Sequence, residues 1–215
     1  MLGKLYMQHL TKHENTRLHL YRGEWAAAAA SANAVITATP TYALAANYAF
    51  YSGNTAEDIF TIEMSTTDNS RTRSGGLAGY HRPAPAGRGD APFSTSLVNT
   101  FLQEPGDLRL NLSDSAAASD GPKRRFTLKY PDAKTNSDNA PVIRVTEMYL
   151  NEAEALAQLN GINQPSIDLI NGLRKRAGLP DWTILTFSTP KDLINGILNE
   201  RRKELVLKAI EEWIY

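Results

Sequence analysis

Apolar residues recur at helical spacing in two blocks, one towards each end of the chain, and lose that rhythm between them. From Met1 to Tyr21 the apolar positions Leu2, Leu5, Tyr6, Leu10, Leu18 and Tyr21 run without a proline, which predicts a helix. Gly23 breaks it. Trp25 to Ile36 then predicts a second helix, carried by Ala26 to Ala30, Ala32 and Ala34. Alanine is the best helix former, and small side chains let two helices approach closely. In the later block helical patterning returns at Pro141. Tyr149, Leu150, Ala153, Leu156 and Ala157 make an apolar stripe, and Glu147, Asn151, Glu154 and Gln158 a polar one. Asn160-Gly161 ends that helix. Pro165 suits the first turn of the next, whose apolar face is Ile167, Ile170, Leu173 and Ala177, and Gly178-Leu179-Pro180 stops it. A further helix starts at Thr189-Pro190, with Asp192 favourably placed near its positive end, and turns Leu193, Ile194, Ile197, Leu198, Leu205 and Val206 inward.

The two helix-glycine-helix units, Leu18 to Ile36 around Gly23 and Met148 to Leu173 around Gly161, resemble each other. Pairs of this kind are tetratricopeptide-like and bury their apolar faces by stacking on neighbours. The expected fold class is therefore mainly α, with tetratricopeptide-like helical pairs, long irregular loops and a few short strands. Glu57 to Met64 alternates, with Phe60, Ile62 and Met64 on one face, and predicts one such strand. Residues 65–141 are dominated by Ser, Thr, Asn, Asp, Gly and Pro and read as a long loop-rich insertion within a single domain spanning 1–215. Within it, Leu97 to Leu102 predicts a helical turn or two and Phe126 to Tyr130 a strand.

Charge changes this picture by exclusion. Lys plus Arg number 23 and Asp plus Glu 23, so no electrostatic argument favours nucleic acid or an anionic membrane surface. The absence of cysteine removes disulfides, thiolate zinc sites and cysteine nucleophiles. No apolar run reaches bilayer-spanning length, and Met1 to Tyr6 lacks the charged and apolar regions of a signal peptide, so the chain as given reads as soluble.

Several runs carry a family resemblance. Arg144-Val145-Thr146-Glu147-Met148-Tyr149-Leu150-Asn151-Glu152-Ala153-Glu154-Ala155 resembles the R-x-x-E-x-x-L-x-x-A-E-A signature of the SusD/RagB family. Leu169 to Leu179 resembles its L-I-N-x-x-R-x-R-A-G-L, and Ile197 to Leu205 its I-L-x-E-R-R-x-E-L. Upstream, Leu20 to Trp25 is similar to the turn before the family's alanine-rich helix, Glu57 to Phe60 to its E-x-I-F strand, and Phe101 with Asp107-Leu108-Arg109 to its aromatic and D-x-R loop element. After Leu205 the family usually continues E-G, then R and an aromatic, whereas here the chain runs to Trp213-Ile214-Tyr215.

The resemblance covers the carboxy-terminal half of the family. It implies an outer-membrane, surface-exposed parent lipoprotein whose amino-terminal half, signal peptide and lipid anchor lie outside this chain. It implies non-catalytic capture of oligosaccharides for delivery to a SusC-like TonB-dependent transporter, with no cofactor, no metal and no nucleic acid. The rival readings are a helical-repeat adaptor that binds protein alone, and a glycosidase. Among the charges Arg144, Glu147, Glu154, Arg174, Arg176, Glu200, Arg201 and Glu204, the glutamates would supply a glycosidase's paired carboxylates. Their placement on helices instead predicts mutual ion pairs between stacked elements.

Sugar binding needs flat apolar faces and nearby polar groups. Tyr80-His81-Arg82 in the long loop fits best, followed by Phe93, Arg73 and Trp182. The competing reading is that these aromatics anchor loops to the scaffold; Trp25 and Tyr149 are assigned to packing. His9 and His13, four apart on a helix, lack a third ligand, and the run Asp132, Asn136, Asp138, Asn139 lacks regular calcium-loop spacing. Neither a phosphate loop nor a G-x-S-x-G nucleophile context is present.

Overall fold

In the computed structural model, residues 2–38, 42–48, 53–68 and 76–206 are described. Their elements, in chain order, are α1 (Leu2–Tyr21), α2 (Trp25–Ile36), β1 (Asp58–Ile62), α3 (Leu77–His81), α4 (Thr95–Leu102), β2 (Ser113–Ala117), β3 (Lys123–Thr127), β4 (Ala140–Arg144), α5 (Val145–Asn160), α6 (Gln164–Arg176) and α7 (Pro190–Leu205). Short 3-10 turns occupy Leu108–Leu112 and Ile184–Thr186. The mainly α class with few short strands holds. The chain divides into two compact units.

The first unit has its described residues within Met1–Ala46, Thr55–Phe60 and Ile143–Leu205. It holds α1, α2, α5, α6 and α7, with α5 packed against each of the other four. The alanine run suits the packing of α2 against α5: Ala28 and Ala32 are fully buried, and Asn33 of α2 donates to Glu152 of α5 at 3.1 Å. Apolar side chains from α5, α6 and α7 close the core, among them Leu150, Ile167, Ile170, Leu173, Leu193 and Ile197. Trp25 and Tyr149 are half-buried. Gly161 ends α5 in a positive-φ conformation that side chains disfavour (φ 66°). Asn163 then accepts the Ser166 N–H to start α6, and the Ser166 hydroxyl donates to the Ala153 carbonyl of α5 at 2.6 Å. The helix pair is thus sealed by both polar and apolar groups.

The second unit has its described residues within Asn47–Asn54 and Thr61–Val142 and at Val206. It contains α3, α4 and an antiparallel β2–β3 hairpin in which Ser113 faces Thr127 and Ala117 faces Lys123. A small core of Phe93, Leu97 and Phe101 lies under α4, packed by Val98, Leu110 and Val206. Strands β1 and β4 pair in a two-stranded sheet.

Three sequence expectations need correction. The run from Pro141 is not helical at its start: Ala140–Arg144 is strand β4, fully buried along its length, and the helix begins at Val145. Pro141-Val142-Ile143 explains this, since proline and β-branched residues favour extended backbone. The strand expected over Phe126 to Tyr130 lies earlier, at Lys123–Thr127, where it finds its partner β2. Leu77–His81, read as loop, is a short helix.

Candidate functional site

The family-like charges belong to the first unit, and nearly all are buried in contact with one another. Arg144 reaches Glu57 at 2.8 Å, and Arg176 bridges Glu57 at 2.5 Å and Glu204 at 2.7 Å. The Thr146 hydroxyl donates to the same Glu57. Glu57 supplies the deepest of these carboxylates, from the residue just before β1. A second cluster joins Arg174 and Lys203 to Glu200, each at 2.9 Å, while Arg174 also donates to the Pro180 carbonyl. Arg201 spans Asn151 at 2.7 Å and Glu154 at 2.9 Å. Glu147 takes Arg17 through paired hydrogen bonds of 2.6 and 3.0 Å, with His13 at 3.0 Å. Carboxylates held this way tie α1, α5, α6, α7 and β4 together; each is fixed against a cation instead of facing a substrate. The predicted mutual pairing is what the geometry shows.

Tyr80 is different. It stands on α3 with Ala78 and Gly79 buried beneath it, and 46% of its surface is exposed. The His81 ring meets its edge, with centroids 5.1 Å apart. His81 in turn lies 6.0 Å from the ring of the fully buried Tyr130. Burial disfavours the imidazolium and holds the His81 pKa below the ordinary histidine value. Arg82 donates to the Pro131 carbonyl at 2.7 Å, which anchors the end of α3 to the chain following β3. Asp138 feels the Arg82 charge, but its own burial dominates and raises its pKa.

The chain after α3 folds back over it. Gly87 N–H donates to Pro83, Arg88 N–H to Gly79 and Gly89 N–H to Arg82, at 2.8, 3.0 and 3.0 Å. Gly87 must lack a side chain here, because a Cβ would sit 2.3 Å from the Arg82 carbonyl oxygen. This return places the Arg88 guanidinium 5.8 Å from the Tyr80 ring centroid and in an ion pair with Asp90. Stacking face, donors and acceptor are therefore gathered in one half-exposed patch.

The other sequence candidates fall elsewhere. Phe93 is buried in the small core, stacked on Phe101 at 6.5 Å, so its ring packs the unit's interior. That is the anchoring role weighed against ligand contact. Trp182 lies in the first unit, half-buried, with Arg174 over its ring at 4.6 Å and Phe187 at its edge. Its backbone exchanges two hydrogen bonds with the Asn171 side chain, at 2.8 and 2.9 Å. Arg73 and the side chain of His9 lie outside the described residues. His13 is engaged with Glu147 and Glu14. In the 132–139 run, the two Asp132 oxygens accept from Lys134, Thr135 and Ser137, and the hydrogen bonds from Ser137 and Thr135 hold its pKa far below the usual carboxylate range. Sequence reading passed over Arg88 and Asp90; their spacing across Gly89 within a glycine- and proline-rich run was the available signal.

Residues 122–209 match the SusD family model. Solved structures of similar fold include a SusD superfamily protein from Bacteroides vulgatus (TM-score 0.72, 23% identity, 94% of this chain and 46% of that one). A SusD-like carbohydrate binding protein from Bacteroides vulgatus aligns at TM-score 0.70 and 21% identity, over 89% of this chain and 41% of that one. A SusD superfamily protein from Bacteroides thetaiotaomicron aligns at TM-score 0.68 and 21% identity, over 94% and 46%. The chain thus spans less than half the length of these structures. No curated protein matched. Among the described residues no helix is long and apolar enough to cross a membrane.

Proposed function

We propose that this chain belongs to the SusD/RagB family, as the match of residues 122–209 to the SusD family model supports, and that it is the carboxy-terminal part of a surface-exposed, lipid-anchored outer-membrane protein that captures oligosaccharides. The captured glycan passes unaltered to a SusC-like TonB-dependent transporter. The similarity to a SusD-like carbohydrate binding protein supports the ligand class. The observation that carries the reading is the contrast in charge use: the helix-borne carboxylates are locked in buried ion pairs, while an exposed aromatic face at Tyr80 stands beside polar groups of both signs. Tyr80, His81 and Arg82 form the proposed contact surface. Arg73, Phe93 and Trp182 rank behind them, Phe93 now as a support.

Titration calorimetry of the chain against a panel of neutral and acidic oligosaccharides tests this. Binding without release of reducing ends is expected, and Tyr80→Ala should weaken it about tenfold, the equivalent of ~1.4 kcal/mol of lost stacking. Reducing-end release would overturn the non-catalytic reading. Full binding by Tyr80→Ala would move the site off this patch.

A further inference from the structure

We propose, resting on the glycan-capture reading, that the Tyr80 patch selects neutral oligosaccharides over acidic ones, and that the Arg88–Asp90 pair is the selector. Among the described residues the Arg88 guanidinium has two partners, the Tyr80 ring and Asp90. Side-chain exposure of 48% for Arg88 and 29% for Asp90 leaves both open to a ligand. A guanidinium presents several donors in one plane, and a carboxylate offers several lone pairs. Side by side they form a donor-acceptor edge next to an aromatic face. A vicinal pair of sugar hydroxyls, each both donor and acceptor, matches that edge while the C–H face of the ring lies on Tyr80.

Charge decides between a neutral and an anionic ligand. The cations that the contacts place at the patch are Arg82 and Arg88. Asp90 faces Arg88, while Asp138, with Asp132 beside it, feels the Arg82 charge without forming an ion pair. His81 is held towards its neutral form by burial. The Arg88 charge is thus already matched by a carboxylate within the patch. A uronate or sulfate approaching Arg88 meets the Asp90 carboxylate already there, and like charges at contact disfavour the wrong partner. The backbone hydrogen bonds of Gly87, Arg88 and Gly89 hold the edge in place before the ligand arrives, so little ordering remains to oppose binding.

The test uses matched oligosaccharide sets in gluco-, galacto- and manno-configuration, each neutral chain beside its C6-oxidised uronate counterpart, titrated calorimetrically into the chain. The neutral member of the recognised set should bind at least about tenfold tighter. Asp90→Asn should narrow or invert that ratio, and Arg88→Gln, which leaves the Asp90 charge uncompensated, should widen it. Both sites are solvent-exposed, so thermal melts should match the parent. Tighter uronate binding by the parent, or an unchanged ratio in both variants, would overturn the selector while Tyr80-dependent binding leaves the capture reading standing. Binding indifferent to Tyr80→Ala, or none in any set, would remove the capture reading and the selector together.

Discussion

Arg176 and Arg88 carry the same guanidinium and each has a carboxylate at contact distance, yet the two units use them in opposite ways. Arg176 is 8% exposed and shared between Glu57 and Glu204. Arg88 is half-exposed, with one carboxylate and one aromatic face. A buried charge costs several kcal/mol to desolvate, so it persists where partners surround it. An exposed pair contributes at most about 1 kcal/mol to stability and remains free to exchange its partners. The residues most visible as a family-like signature are therefore buried in ion pairs, and the exposed residues of the proposed contact surface lie where no signature marks them.

Three substitutions probe that contrast. Glu57→Ala removes the carboxylate shared by Arg144 and Arg176, and leaves both buried cations short of a counter-charge beside Glu204. It should destabilise the fold by about 3–5 kcal/mol in chemical denaturation. A change as small as that of a surface pair would mean the cluster is hydrated after all. Gly87→Ala forces the returning chain away from Arg82 and lifts Arg88 from Tyr80. A loss of about 1–3 kcal/mol is expected, accompanied by weaker glycan binding. If stability fell and binding held, the preorganised edge would not matter to capture.

His81 sets the smallest effect. Burial holds its folded pKa below the ordinary histidine value of 6.5, so between those two values the unfolded chain binds more protons than the folded one. The His81 contribution is intact above about pH 6.5 and is lost as pH falls from there through the folded value. The drop in melting temperature from pH 7 to pH 5.5 should be smaller in His81→Asn than in the parent. Equal drops would show that the imidazole titrates as though exposed.

The helical scaffold was legible because several signals agreed. Gly161, Pro165 and Gly178-Leu179-Pro180 punctuate α5 and α6 at the points where apolar periodicity stops and restarts. Pairing among Arg174, Arg176, Glu200, Arg201 and Glu204 could be anticipated from their helical spacing. The 65–141 stretch was less readable for a physical reason. Leu77–His81 is too short to show a period, and tertiary hydrogen bonds from Arg82 and Arg88 fasten it. Ser113–Ala117 has no β-branched or aromatic residue and is a strand because Lys123–Thr127 pairs with it. In the patch, Tyr80-His81-Arg82 could be picked out by residue type within a loop. That Phe93 turns inward and Arg88 turns towards Tyr80 depends on a chain reversal no local pattern encodes.

The ladder between β1 and β4 has a consequence for how such a protein diversifies. The chain leaves the helical unit along β1 and comes back along β4, and these two strands are hydrogen-bonded neighbours. Whatever lies between them starts and finishes at a clamped doorway. Doubling the length of a flexible segment closed in this way costs only about 0.6 kcal/mol of loop-closure entropy. The intervening stretch can accordingly vary in length at little cost, while the helical frame keeps its own buried ion pairs.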